Sequence, residues 1–259
     1  LSIAVAKVGI FLKPANNSSK KIYFLLIYDE NRRILTSEQT FLNDYADIYR
    51  LFYYLRITLA ITTMNMQIFQ VKSNRRTPTT GSLLLASPLL HDYHFARTVI
   101  LTVTHSEEES MGLIINKNFR YHLYLNQLVP ELAEAPIIPV YKGGPMERNT
   151  IFFIHTLADL EGAFDLKNGL FLNGNFETLQ TYILEGNPIA EKIRFFAGYA
   201  GWGKGQLANE IAEDSWIVSP PNGKQLLETP LNEMWEHYMS DLGDPYRLWA
   251  KYPLYPSFN

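Results

Sequence analysis

The chain contains no cysteine among its 259 residues. Without cysteine a protein has no disulfides, no thiolate nucleophiles and no cysteine-ligated zinc sites. The absence fits a protein of the cytosol, where thiols stay reduced and structural disulfides are rare. Chemistry in this chain therefore has to come from histidine, arginine, lysine, hydroxyl and carboxylate side chains.

A strong charge imbalance and a long apolar run are also missing. The net charge is −3, whereas proteins that hold nucleic acid non-specifically usually carry a basic face. This balance disfavours nucleic acid as a partner without ruling it out. The longest apolar tract near the beginning, "LFYYLRITLAI", is interrupted by Arg56 and is shorter than the roughly 20 residues that cross a bilayer. The sequence therefore predicts a globular, cytoplasmic protein with no membrane partner.

Residues 1–63 are poor in glycine and proline and lack the tryptophan and methionine that the rest of the chain has. They hold one glycine and one proline, while residues 64–259 hold 14 of the 15 glycines and all six methionines. One interpretation is a small accessory domain, with a hairpin around the Asp29–Asn31 turn and a helix over "FLNDYADIYRLFYYLRITLAI". The other is an upstream reading frame, with translation starting at Met64 or Met66. A single glycine is few for the turns of a folded segment, which favours the second interpretation.

Residues 64–259 predict an α+β domain, because strands occur both in pairs and beside helices. The strand segments, bounded by glycine, proline or polar turns, are "GSLLLASP", "RTVILTVTH", "MGLIINK", "IIPVYKGGP", "TIFFIHTL", "GLFLNG", "KIRFFAGYAG" and "SWIVSPP". The helical segments are "YLNQLVPEL", "NFETLQTYILEG", "QLANEIAED" and "TPLNEMWEHYMSDLG". For the last of these the sequence predicts Thr229 as the N-cap, Pro230 in the first turn and Gly243 as the stop.

One stretch, "GYAGWGKGQ", is close to a phosphate-binding P-loop. Gly198, Gly203 and Lys204 match G-x-x-x-x-G-K, but Gly205 stands where a hydroxyl should ligate Mg²⁺. No apolar strand ends in the aspartate that would serve as its Walker B partner. These gaps argue against nucleotide hydrolysis and leave two interpretations, a tight strand-to-helix turn or a weak anion-binding turn at Gly201, Gly203 and Gly205.

The histidines and one basic cluster each have two interpretations. His91 and His94 flank Asp92 and have zinc-ligand chemistry, but a surface loop explains them more simply, and we predict no metal site. His155 lies between large apolar residues and is predicted to be a hydrogen-bonded residue of the core or its rim rather than a catalyst. The cluster "KSNRRT", from Lys72 to Thr77, either contacts a phosphate backbone or belongs to a flexible N-terminal arm.

Several motifs occur together and in a fixed order. They are "GSLLLASP", "DYHFARTVI", His105 followed by "MGLIIN", "GGP" at Gly143–Pro145, "IHTL", and "RFFAGYAGWGKGQLANEI" with Trp216 just beyond. In this order they resemble the YqgE/AlgH family of bacterial proteins. The resemblance covers most of residues 81–216, with weaker similarity on to residue 259, and residues 1–63 lie outside it.

The resemblance implies an α+β fold with a bifurcated, partly barrel-like, mainly antiparallel sheet surrounded by helices, in a cytosolic bacterial protein. It implies no reaction and no cofactor, although one namesake is linked to transcriptional regulation of exopolysaccharide production. Relatives often have proline at the position of Lys204. The family-motif positions are Pro88, Asp92, Phe95, Arg97, His105, Gly112, Asn116, Gly144, His155, Gly198, Tyr199, Gly201, Trp202, Gly205, Gln206 and Glu210.

Our first functional hypothesis is a non-enzymatic ligand-binding or regulatory protein, whose partner is a small anionic ligand or another protein. Arginine offers a forked donor to a carboxylate or phosphate, and an aromatic ring offers a stacking face. The residues expected to bind the ligand are Asp92, Arg97, His105, Asn116, Tyr199, Trp202, Gln206 and Glu210, in one cleft with the glycines of the turn.

Two alternatives stay open. One is a hydrolase-like enzyme in which His105 is the general base and Asp92 orients it. The other is a weak nucleic-acid or nucleotide binder, whose affinity has to fall steeply with salt.

Overall fold

The structure, a computed structural model, describes residues 7–12, 21–28, 34–42, 71–90, 92–220, 223 and 225–253. The chain divides into two compact units, residues 1–69 and residues 70–259. In the first unit, strands β1 (Lys7–Leu12), β2 (Lys21–Tyr28) and β3 (Ile34–Leu42) form an antiparallel sheet in that order. β2 and β3 pair as the hairpin prediction requires, whereas its turn and residues 43–61 of the predicted helix lie outside the described residues. Both interpretations of residues 1–63 remain predictions.

The second unit is built on a sheet of ten strands. They are β4 (Leu83–Ala86), β5 (Val99–His105), β6 (Ser110–Ile114), β7 (Leu123–Tyr124), β8 (Pro139–Lys142), β9 (Met146–His155), β10 (Phe164–Lys167), β11 (Leu170–Leu172), β12 (Ile193–Trp202) and β13 (Trp216–Ser219). The main order is β10-β11-β9-β12-β6-β5-β4-β13; β8 also pairs with β12, and β7 with β8. Strands β7 and β10 are additions that the sequence patterns did not predict.

Six α-helices and one short 3₁₀ turn, at Pro130–Leu132, accompany the described strands. The helices are α1 (Leu125–Leu128), α2 (Phe176–Leu184), α3 (Gln206–Ala212), α4 (Gln225–Glu228), α5 (Met234–Asp241) and α6 (Tyr246–Ala250). Over the described part of the chain, none of these helices combines the length and apolar character that crossing a bilayer requires.

The sheet forks at β12. Residues 195–197 pair with both β8 and β9, while residues 200–202 pair with β6. Gly198 lies between these two segments at φ +76°, and a Cβ there would lie 2.6 Å from the Met146 carbonyl oxygen. Only glycine fits this point without strain, so it marks where the strand changes neighbours. The predicted bifurcated, mainly antiparallel α+β fold is confirmed; β8–β12 is the one parallel pair, and the described strands do not close into a barrel.

The sheet is buried on both faces where β4 and β5 run. Leu83 and Leu85 point into one core with helices α4 to α6, while Leu84 and Ala86 point into another with α3. All four side chains are buried completely. Burial on both faces explains why "LLLA" is continuously apolar, since an alternating pattern requires one wet face. A third core packs α2 against β8, β9 and β12.

The predicted N-cap of the last long helical segment is wrong. Thr229 ends α4, where its backbone N–H donates to Gln225 O over 3.0 Å. α5 begins only at Met234, after a turn in which the Met234 N–H donates to Pro230 O over 3.1 Å. Because proline has no N–H and restricts the residue before it, the chain closes one helix and starts another. Gly243, at φ +77°, follows the end of α5 as predicted.

Candidate functional site

The motif that resembles a P-loop is a turn, Gly203 to Gly205, between β12 and α3; we call it the glycine turn. Gly205 adopts φ +68°, and its N–H donates to Glu107 O over 3.3 Å. The Gly203 N–H donates to the Gln206 side-chain oxygen over 3.1 Å. The Lys204 ammonium forms an exposed ion pair with Glu108 at 2.6 Å. These donors are already used within the protein, so anion binding at the turn gains no support from them and remains a prediction.

Three of the predicted ligand-binding side chains bond to one another beside this turn. Glu210 accepts hydrogen bonds from the indole N–H of Trp202 at 2.8 Å and of Trp216 at 2.7 Å. Its other oxygen accepts from the Gln206 amide at 2.9 Å. The two indole rings pack edge to face at 6.0 Å, and Trp202 is only 6% exposed. Glu210, Gln206 and both tryptophans therefore hold β12, α3 and β13 together, and we call them the tryptophan junction.

The other residues of the motif are also used in packing. Gly201 lies within β12, where a Cβ would stand 2.8 Å from the Met146 sulfur. The half-buried Tyr199 packs on the core beneath the α4–α6 helices and meets the Phe152 ring edge to face at 6.0 Å. Among the described residues, the Trp202 ring is therefore packed inside the protein and offers no free face on which a ligand can stack.

Arg97 is presented by a turn of residues 92–97 that Asp92 and Asn116 organise. Asp92 Oδ1 accepts from the backbone N–H groups of His94 at 2.7 Å and Phe95 at 3.0 Å. The Asn116 amide donates to Arg97 O at 2.9 Å, and its oxygen accepts from the Val99 N–H at 2.9 Å. Asp92 and Asn116 therefore shape the backbone that carries Arg97, which itself adopts φ +55°.

A cleft of about 290 Å³ opens beside this turn, and we call it the Arg97 cleft. Its lining consists of Arg97, Asn116, Lys117, Leu231, Asn232, Trp235, Glu236, Ala250 and Tyr252. The guanidinium lies 3.9 Å from the centre of the Trp235 ring and donates to the Tyr252 carbonyl oxygen. Trp235 is itself fixed, because its indole N–H donates to Ala86 O at 2.8 Å. Burial lowers the pKa of Arg97, and the Glu236 carboxylate opposes that change.

Lys117 is a member of this cleft that sequence reasoning missed. It follows Asn116 directly, and its ammonium donates to Ala96 O at 2.8 Å. Burial lowers its pKa, and the charges of Lys142 and Arg97 lower it further. A single lysine after a strand carries no pattern of its own, so only its tertiary neighbours identify it.

His105 lies in a different place, a groove between the β5–β6 turn and α3. The groove has two adjoining lobes of about 240 and 180 Å³ that share His105 and Ala208. Arg75 and Arg76 line the larger lobe, and Gly203 and Gly205 line the smaller. We call it the His105 groove.

The partner of His105 is Ser110, not the predicted Asp92. His105 Nδ1 lies 2.8 Å from Ser110 Oγ, across the β5–β6 ladder. Asp92 precedes β5 and His105 ends it, and a strand of seven residues spans about 20 Å. The predicted single cleft is therefore two sites: Arg97 and Asn116 lie at one end of β5, and His105 with the glycine turn at the other.

The basic cluster "KSNRRT" is not a flexible arm. Ser73 Oγ donates to Trp216 O at 2.6 Å, and Asn74 exchanges hydrogen bonds with the Val218 backbone at 2.7 and 3.1 Å. These bonds attach the segment to β13. They place Arg75 and Arg76 on the wall of the His105 groove with exposed side chains.

The remaining histidine predictions have mixed outcomes. His155 is completely buried; its Nε2 donates to Asn173 O at 2.7 Å, and its Nδ1 accepts from the Leu157 N–H at 3.1 Å. The predicted hydrogen-bonded core histidine is confirmed, and burial lowers its pKa. His91 lies outside the described residues. Within the described ranges no cluster of three or more histidine and carboxylate side chains is placed to hold a metal ion.

Comparison with known proteins identifies relatives along most of the chain. The AlgH-like family model matches residues 83–247. A UPF0301 protein of Bacteroides fragilis is 44% identical over 196 residues, which cover 76% of this chain and 99% of that protein. A UPF0301 protein of Bacteroides thetaiotaomicron is 41% identical over 196 residues, with the same two coverages of 76% and 99%.

Solved structures show the same similarity. The crystal structure of a Corynebacterium diphtheriae protein superposes with a TM-score of 0.58 at 26% identity, over 69% of this chain and 95% of that one. The solution structure of the AlgH protein from Pseudomonas aeruginosa gives a TM-score of 0.53 at 26% identity, over 69% and 97%. The resemblance inferred from the ordered motifs is thereby confirmed, and the chain belongs to the AlgH-like family.

Proposed function

We propose that this protein binds a small anionic ligand in the Arg97 cleft and acts by binding rather than by catalysis. The observation that supports the proposal is that the two cations of the cleft are partly buried and have no carboxylate partner among the described residues. Arg97 and Lys117 are half-buried, and among the described residues neither forms an ion pair with a carboxylate. Burying a cation without a counter-charge is costly, so an anion from outside has a reason to bind.

The cleft also holds these cations in place. Arg97 is fixed by its contact with Trp235 and its bond to Tyr252 O, and Lys117 by its bond to Ala96 O. Such positioning lowers the entropy that a flexible side chain loses on binding. Arginine presents several donors in a planar fork, and lysine adds a point charge, a combination that suits a carboxylate or a phosphoryl group.

One carboxylate opposes this assignment. Glu236 lines the cleft and favours the charged form of Arg97. It is exposed and forms no ion pair at the guanidinium within the described residues, so water screens its charge. An incoming anion therefore competes with a screened carboxylate and not with a formed salt bridge.

The first test measures thermal stabilisation by three probes, glycerol 3-phosphate, succinate and acetate, against sodium chloride at equal ionic strength. A ligand at about 100 times its Kd adds roughly 2.7 kcal/mol, which raises Tm by about 5 to 10 °C for a domain of this size. The expected result is a shift for wild type that Arg97→Gln and Lys117→Met lose. Arg120→Gln is the matched control, because Arg120 is exposed and outside the cleft.

The proposal fails if none of the three probes shifts Tm, or if Arg97→Gln and Arg120→Gln respond alike. From the family resemblance we further propose that the protein is a cytosolic bacterial protein with a regulatory role, since one namesake is linked to transcriptional regulation. In that role, binding of the ligand changes which partner the protein contacts.

A second candidate function, hydrolysis, rests on the His105 groove. Ser110 Oγ lies 2.8 Å from Nδ1 of the imidazole in the groove that both residues line, so that nitrogen is placed to take the proton of the serine hydroxyl. A serine hydroxyl beside an imidazole is the arrangement that activates a nucleophile. Against it, Ser110 is only 6% exposed, and no described carboxylate orients the ring.

The test is hydrolysis of p-nitrophenyl acetate and p-nitrophenyl phosphate. Enzymatic turnover predicts a wild-type rate above buffer that both His105→Gln and Ser110→Ala abolish. His237→Gln is the control, because His237 is an exposed histidine outside the groove. A wild-type rate equal to buffer rejects this function.

A further inference from the structure

We infer that the ligand of the Arg97 cleft is a dianion, because a third cation, Lys142, extends the site beyond the cleft. This inference rests on the proposed function. We call Arg97, Lys117 and Lys142 the cation row. Lys142 does not line the cleft itself, and no sequence pattern singled it out.

The backbone brings the two lysines side by side. The Lys142 N–H donates to Lys117 O over 3.0 Å, which joins the end of β8 to the segment after β6. Both side chains then reach the same turn of residues 92–97. The Lys117 ammonium donates to Ala96 O at 2.8 Å, and the Lys142 ammonium lies 3.2 Å from His94 Nδ1. The order along the turn is therefore Lys142, Lys117, Arg97.

Lys117, in the middle of the row, feels the charges of both its neighbours. Burial lowers the pKa of Lys117, and the charges of Lys142 and Arg97 lower it further. Burial also lowers the pKa of Lys142, and the nearby charge of Arg148 lowers it further. Asp92 is the carboxylate that acts on Lys142 in the opposite direction, but its Oδ1 already accepts two backbone N–H groups. Within the described residues neither lysine has a carboxylate ion pair.

Such a row of like charges destabilises the unliganded fold, and a single negative charge only partly compensates it. A ligand with two negative charges, either a phosphate monoester or a dicarboxylate, compensates the row more fully. The chemical class is therefore a small dianion that binds at the cation row. A monoanion bound at Arg97 and Lys117 leaves Lys142 with the exposed Asp92 carboxylate as the opposing charge that acts on it within the described residues.

The experiment compares Kd values for glycerol 3-phosphate, succinate and acetate at pH 8, by calorimetric titration at constant ionic strength. Wild type should bind one or both dianions at least about tenfold more tightly than acetate, since a hydrogen bond between charged groups contributes about 1.5–3 kcal/mol. Lys142→Gln should reduce the preference for the dianions over acetate to less than about threefold. Lys142→Arg should restore it, and Lys192→Gln, an exposed lysine elsewhere, should have no effect.

A second measurement does not depend on the ligand. Without any anion, Lys142→Gln should raise Tm, because it removes repulsion from the cation row.

The titration has five informative outcomes. Preference for glycerol 3-phosphate alone assigns a phosphoryl group, preference for succinate alone assigns a dicarboxylate, and preference for both supports the dianion class. Equal Kd values for all three probes, lost together in Arg97→Gln, would overturn the dianion while the proposed function stands. Absence of binding by every probe refutes both.

Discussion

The two ends of strand β5 differ in how their polar groups are satisfied. At the end near residue 105, the donors of the glycine turn bond to Glu107, Glu108 and Gln206, and Gln206 connects the turn to the tryptophan junction. At the end near residue 97, two cations are held in a cleft without carboxylate partners among the described residues. The first region has the stronger sequence fingerprint, and the second has the stronger reason to bind something.

This difference separates two kinds of motif. A glutamate that accepts two indole N–H groups is used fully by the fold, so its role is structural. Asn116 and Asp92 are used by the fold as well, but their bonds shape the turn that presents Arg97. A sequence motif therefore identifies a segment with a specific role, and the hydrogen-bond partners of its side chains show whether that role is structural or lies in presenting another residue.

Among the variants that test this comparison, Glu210→Ala is expected to have the largest effect on stability. It leaves two indole N–H groups without acceptors, and each buried unsatisfied donor costs about 1–3 kcal/mol. We expect the free energy of unfolding to fall by roughly 2–6 kcal/mol in urea denaturation, with anion affinity unchanged where the protein is folded. Glu213→Ala, an exposed neighbour, is the control. Loss of anion affinity with an unchanged free energy of unfolding would show that the tryptophan junction serves binding rather than stability.

Asn116→Ala is expected to act on both quantities. It removes the acceptor of the Val99 N–H and the donor to Arg97 O, for a loss of about 1–3 kcal/mol in the free energy of unfolding. Because the turn then no longer holds Arg97, the Kd for glycerol 3-phosphate should rise as well. Urea denaturation and calorimetric titration together check this. An unchanged Kd would show that Arg97 keeps its place without Asn116.

The pH dependence of stability tests the assignment of His155 as a buried, hydrogen-bonded residue of the fold. Burial lowers its pKa in the folded protein, whereas the unfolded chain has the ordinary value of about 6.5. Below that value the unfolded state binds a proton that the folded state does not, so stability falls by up to about 1.4 kcal/mol per pH unit. The loss continues down to the lowered folded pKa. His155→Gln should flatten this slope in urea denaturation, and an equal slope in both proteins contradicts the assignment.

The smallest effect is expected from Lys204→Ala. It removes only an exposed ion pair with Glu108, which contributes at most about 1 kcal/mol. We expect almost no change in Tm and none in anion or nucleotide binding. A clear loss of nucleotide binding in this variant would restore the P-loop interpretation of the glycine turn.

Local patterns predicted many of the elements. The glycine and proline punctuation located most of the strands, and Gly243 after α5 was predicted because a left-handed residue there favours glycine. The patterns failed at Thr229, where a cap signal lay inside a turn between two helices. They also failed at β10, a short edge strand whose side chains are mostly exposed and therefore show little pattern.

By itself, the sequence determined the α+β class, the family and the positions of the turns, because these depend on residue preferences over short stretches. The tertiary structure alone decided that Glu210 joins Trp202 to Trp216, that Asp92 and His105 lie far apart, and that Lys117 and Lys142 meet on one turn. The physical reason is that desolvation and charge pairing depend on distances between segments far apart in the chain. Arg97 meets Trp235 across 138 positions, and no local pattern records that contact.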